Sequence, residues 1–296
     1  MMDGKEAGFL LLTSRLGNPD RKVLTTAQLR TLGQRMQNMP RPEEDRDLLP
    51  EDLIALGYNR DAACRILNLL EERELLAHAL RRGARFGCVP VSRVNPAYPK
   101  VLKERLGPET PGCLWVKGDL SLLDTPMVAL VGSRDIAPEN KAFAAEVGRR
   151  AAEQGYTLVS GNAVGADQAA QQACLEAGGN VISVVAYELN QRERKENVLY
   201  LAEDGYDEPF TAQRALSRNR VIHSLSDKTF VAQATLEKGG TWDGTVRNLR
   251  FHWSDVFCFD DDSEVMTRLE DMGACKIRLS DLSDLSVLKN ENISFL

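Results

Sequence analysis

Glycines, hydroxyls and arginines gather at three points of this 296-residue chain in combinations suited to gripping a phosphate. Gly132-Ser133-Arg134 sets a residue that lets the backbone approach a ligand beside a hydroxyl and a guanidinium able to bind phosphate bidentately. Ser160-Gly161-Asn162-Ala163-Val164-Gly165-Ala166-Asp167 reads as a glycine loop that opens a helix, where the first amides favour an anion. Asp167 is expected as the N-cap of that helix, with direct ligand contact as the alternative. Lys238-Gly239-Gly240-Thr241 reads as a third phosphate-cradling turn backed by Thr245 and the amides of the next helix. A tight loop capped by Asp243 is the plainer reading of that segment.

Between the second and third loops stand Arg214, Arg218, Asn219 and Arg220. Arg214 and Arg218 share one helix face, and their guanidinium groups suit phosphates or base stacking, both sequence-tolerant modes. A solvated face paired with Asp207 or Glu208 is the bland alternative. Neither GxGxxG nor GK[ST] spacing occurs, so no NAD or ATP chemistry and no cofactor is expected. Three histidines, among them His223 in an apolar helix and His252 beside Trp253, form no triad or metal pattern, and no catalytic residue is singled out. The six cysteines, at 64, 88, 113, 174, 258 and 275, contain no CxxC pair and read as reduced, mostly buried thiols.

The elements that must position these loops follow from hydrophobic periodicity. Residues 25–82 carry Leu, Arg and Glu at helical spacing, with Ile66, Leu69, Leu70, Leu75 and Leu76 on an amphipathic stripe. Pro40, Pro42, Pro50 and Gly57 divide them into several short helices. A short strand is expected at 86–91 and a short helix within 95–107, followed by a connector at Pro108, Pro111 and Gly112. Beyond Asp124, apolar runs at 127–131, 156–160, 181–186, 229–232 and 256–259 alternate with helical stretches such as 141–154 and 167–177. That alternation predicts an α/β fold, an extended Rossmann-like parallel sheet whose loops meet at the carboxyl edge. A last helix and strand are expected at 264–272 and 276–279.

With 43% hydrophobic and 27% charged residues, the composition is that of a globular protein. No run is long enough for a membrane span, and Asp3 and Glu6 precede the short apolar stretch at 8–12, so neither an anchor nor a secretory signal is expected. A cytoplasmic location follows. The net charge of −6 requires any nucleic-acid site to be a local basic patch, with acidic runs at 43–47 and 260–264 lying elsewhere.

The order of motifs resembles the DNA-processing protein A family, also called DprA or Smf. Asn95-Pro96-x-Tyr98-Pro99 with Leu102, the 111–118 segment, Gly132-Ser133-Arg134, the Ser160 to Asp167 loop, and Arg218-Asn219-Arg220-Val221-Ile222 with Leu225-Ser226 follow its pattern over about two hundred residues. The resemblance implies an N-terminal helical, SAM-like domain and connector at 1–108, and a Rossmann-like domain at 109–296. It also implies single-stranded DNA binding, a role in DNA uptake, transformation and recombination, loading of the recombinase RecA, a homodimer, and no enzymatic turnover. Gly132, Ser133, Arg134, the Ser160 to Asp167 loop and Arg218 to Arg220 would be the DNA-facing elements. The chain departs from the pattern at Val164, where an arginine is usual, and at Gln233-Ala234 and 238–241. With about seventeen residues after Leu279, the winged-helix domain of some members is not expected. The alternative is a small-nucleotide-binding or nucleotide-cleaving relative of the same scaffold, similar to the lysine decarboxylase-like phosphoribohydrolases, using the GGT loop on a small ligand.

Overall fold

The computed structural model describes residues 3–18, 20–39, 47–203 and 205–291, with the backbone alone at residue 26. Five helices come first: α1 (Gly4–Thr13), α2 (Thr26–Gln37), α3 (Pro50–Ala55), α4 (Arg60–Glu71) and α5 (Arg73–Arg85). Their ends follow capping chemistry. Thr25 and Gln28 close a reciprocal capping box on α2, and the Asn59 side chain accepts from the Ala62 amide at the start of α4. Ala63, Ile66 and Leu69 of α4 face a small core with Leu12, Leu24, Leu32 and Leu53. Of the expected breakers, Pro50 opens α3 and Gly57 follows it at φ +86°. Pro40, Pro42 and residues 43–46 of the acidic run lie outside the described residues.

Strand β1 (Val89–Ser92), helix α6 (Lys100–Leu106) and strand β2 (Cys113–Lys117) follow. Then come β3 (Met127–Val131), α7 (Pro138–Glu153), β4 (Thr157–Ser160), α8 (Ala166–Glu176), β5 (Asn180–Val185), β6 (Val198–Glu203) and α9 (Ala212–Leu225). The chain continues through β7 (Lys228–Val231), α10 (Gly239–Phe251), β8 (Asp255–Phe259), α11 (Glu264–Asp271) and β9 (Cys275–Ile277). All nine strands join one sheet in the order β1-β2-β6-β5-β4-β3-β7-β8-β9. It is parallel from β6 to β9, and β1 and β2 extend one edge antiparallel.

Helices cover both faces. Phe143, Ala144 and Val147 of α7 with Ala170 and Cys174 of α8 fill one side, and Val221, Ile222 and Leu225 of α9, Trp242 and Leu249 of α10 and Met266 of α11 fill the other. Burial on both faces is why the central strands read as unbroken apolar runs. The sheet begins at β1, upstream of residue 109, and the N-terminal helices share its core through Leu10, Leu11, Leu76 and Ala79. Glu6 of α1 accepts hydrogen bonds from Ser92 Oγ (3.0 Å) and Asn95 Nδ2 (2.7 Å), fastening that helix to the first strand and the loop after it. All six cysteines are free thiols, four of them buried. Among the described residues no helix is long and apolar enough to cross a membrane.

Candidate nucleic-acid interface

Strand order reverses at β3, whose neighbours are β4 on one side and β7 on the other. In open α/β sheets ligands bind outside the carboxyl ends of the strands at such a switch point. The three glycine segments leave β3, β4 and β7 there, and they touch. Thr241 Oγ1 donates to the Gly132 carbonyl at 3.0 Å, joining the third segment to the first. The Ala166 amide donates to the Ser133 carbonyl at 3.2 Å, joining the second to the first. A β-carbon on Gly132 would lie 2.4 Å from that of Ala166, and one on Gly165 would lie 2.5 Å from the carbonyl oxygens of Ser133 and Arg134. Both glycines are therefore required by backbone packing; Gly165 also has φ +89°.

Helix α9 reaches the same edge. Asn219 Nδ2 donates to the Gly240 carbonyl at 2.7 Å. The Arg218 guanidinium lies across Gly161, with its Nη1 3.9 Å from Asp167 Oδ2. Gly132, Gly161, Gly240 and Arg218 thus meet on one edge.

Several expected roles are corrected by the packing. Gly165 is the N-cap of α8, not Asp167. Asp167 lies in the first turn of α8, is buried, and accepts from the amides of Gly161 and Ala163, both at 3.2 Å, so it pins the loop from beneath. Those two amides and that of Ala166 are bound within the protein instead of being presented to an anion. Burial pushes the Asp167 carboxyl up, opposed by Arg218 and the two amides, and burial also lowers the Arg218 guanidinium. Ser160 is wholly buried and accepts from Gln171 Nε2 at 2.5 Å, because strand alternation turns it inward. Gly239, Gly240 and Thr241 are the first turn of α10, with Lys238 as an exposed N-cap whose side chain makes no capping bond.

The basic cluster is neutralised more than its sequence suggests. Arg214 pairs with Glu208, Arg220 with Glu203 at 2.7 Å, and Arg218 is nine-tenths buried against Asp167. Arg220 also donates to the Glu109 carbonyl. Arg134 differs: it is exposed, and its guanidinium lies 5.7 Å from the centre of the Phe210 ring, itself half exposed. Tyr187 lines the Arg218 cleft; Arg192 lies 4.4 Å over its ring, and its hydroxyl accepts from Asn162 Nδ2 at 3.4 Å. No phosphate-binding pattern in the sequence includes Phe210, Tyr187 or Arg192. Aromatic residues next to the arginine and glycine segments were the available signal.

Residues 90–267 match the model of the DNA recombination-mediator protein A family. The chain belongs to that family. Among similar proteins, the DNA processing protein DprA of Streptococcus pneumoniae is 31% identical over 205 residues, which are 66% of this chain and 70% of that protein. Protein Smf of Escherichia coli is 32% identical over 140 residues, 44% of this chain and 37% of that one. The X-ray structure of DNA processing protein A from Streptococcus pneumoniae superposes with a TM-score of 0.73 at 24% identity, covering 97% of this chain and 99% of that one, a likeness of fold. A DNA processing protein A from Helicobacter pylori, described for its single-stranded DNA binding mode, gives a TM-score of 0.56 at 25% identity over 67% of this chain and 94% of that one. This family member is therefore a DNA-processing protein in fold and sequence, and its motifs at Gly132, Gly161 and Arg218 fall inside the matched span.

Proposed function

We propose that this family member binds single-stranded DNA across the carboxyl edge of its sheet, without catalysis. The observation that carries the reading is the meeting of Gly132, Gly161, Gly240 and Arg218 on one edge, with the exposed Arg134 beside them. The Helicobacter pylori relative's single-stranded DNA binding mode supports the same ligand class. The finer roles implied by the resemblance belong to the same proposal: a cytoplasmic homodimer, with N-terminal helices ahead of a Rossmann-like domain whose sheet starts at Val89, that loads the recombinase RecA during DNA uptake and transformation. The cleft beside Arg218 holds only about 20 Å³, room for a water and not for a nucleotide, which favours a strand lying across the edge over a small ligand held in a pocket.

The test is titration of a fluorescent oligothymidylate at several salt concentrations. With Arg134 and Lys238 exposed at this edge, about three phosphate contacts are expected, giving a log–log salt slope of about −2 for single strands. Arg134→Ala should weaken binding and flatten that slope. Absent or salt-independent binding overturns the proposal.

A further inference from the structure

The geometry points to two base-stacking platforms near the Arg218 cleft, Phe210 backed by Arg134 and Tyr187 backed by Arg192. The inference rests on the single-strand reading above and adds the groups that hold the bases. Tyr187, Glu208, Arg214 and Arg218 line one cleft, and Phe210, with Arg134 over its ring, lies two residues beyond Glu208. Arg218 Nε has no hydrogen-bond partner although its side chain is nine-tenths buried, and it is held in that cleft.

The chemistry of the rings argues for bases specifically. Half of Phe210 faces solvent in a protein whose central strands are fully covered, at the mouth of the proposed interface and not on a remote surface. In each pair the cation lies over one ring. A guanidinium on one face of an aromatic ring raises its value as a stacking surface on the other, and every base offers a π-face, so such platforms accept any sequence. They also answer the electrostatic problem. With Arg214 and Arg220 neutralised by carboxylates, this edge has less charge with which to hold a strand, and stacking supplies affinity that salt does not screen.

The experiment compares an ordinary oligothymidylate with one of equal length carrying abasic sites, on the full chain and on Phe210→Ala, Tyr187→Ala and the double variant. The wild type should prefer the intact strand, each single variant should bind it about ten-fold more weakly, and the double variant should bind both strands alike, all with an unchanged salt slope. Phe210→Trp and Tyr187→Phe, which keep the π-face, should retain the preference. If the double variant keeps the wild-type preference for bases, or if the losses come with a flattened salt slope, the platforms are overturned while the strand interface stands. If the wild type binds neither strand, both proposals fall together.

Discussion

The guanidinium of Arg218 occupies the space where a side chain on Gly161 would begin: a β-carbon there would stand 1.2 Å from Nη1. The glycine of the second loop is thus needed to admit a buried cation, which in turn faces the Asp167 carboxylate that holds the loop's amides. Loop shape and charge are set together.

Gly161→Ala should evict Arg218 and leave Asp167 buried without its cation. Breaking a buried pair costs about 3 kcal/mol. The deserted carboxyl would have a folded pKa raised further above its unfolded value, so its contribution is fully present below the unfolded pKa and is lost as pH rises through the folded one. Relative to wild type, the variant should therefore be less stable at pH 7 than at pH 4.5. Equal deficits in denaturant melts at the two pH values would refute the coupling.

Glu208→Gln should strengthen binding of single strands. It removes the charge that neutralises Arg214 while keeping a side chain that can accept its hydrogen bond. One additional phosphate contact steepens the salt slope by about 0.7. Arg220→Ala, by contrast, removes a cation already paired with Glu203 and is expected to leave the slope unchanged. Parallel salt titrations of the two variants check both statements.

His223 gives the fold a pH dependence of its own. It is fully buried between α9 and α10, where Nδ1 accepts from Asn248 Nδ2 at 3.0 Å and Nε2 faces Gly244 without a partner. Burial, aided by the nearby Arg218 charge, lowers its pKa to about 3. The folded value lies below the unfolded one, so this stability is present above about 6.5 and is lost as pH falls towards 3, about 2 kcal/mol being gone at pH 5. Thermal melts of wild type should show that loss between pH 7 and 5, and His223→Gln should be flatter over the same interval. An equal slope in both would remove His223 as the cause.

Much of the sheet was legible because β3, β4, β5, β7 and β8 are covered on both faces and therefore appear as continuous apolar runs. Strand β6, an equally buried run, was not recognised: the connection from β5 contains only a short 3-10 turn at Leu189–Gln191 instead of the crossover helix that announces a parallel neighbour. Strand β2 has no expectation of its own in the sequence, because Pro111 and Gly112 stand directly before it as connector residues. The meeting of the glycine segments followed from topology alone. What each polar group does there did not, since Glu203 and Arg220 come from different elements and the inward turn of Ser160 depends on a one-residue register. The pairing of Arg214 with Glu208, six residues away, was the one neutralisation within reach of local reasoning.

The antiparallel edge has a consequence for how the chain is made. Leu114 of β2 pairs with Glu203 of β6, so the strand that links the N-terminal helices to the sheet has no inner neighbour until β6 has left the ribosome. During synthesis the antiparallel β1–β2 pair must wait with that edge uncovered while β3, β4 and β5 emerge ahead of β6, and this interval is when the nascent chain is most open to wrong partners.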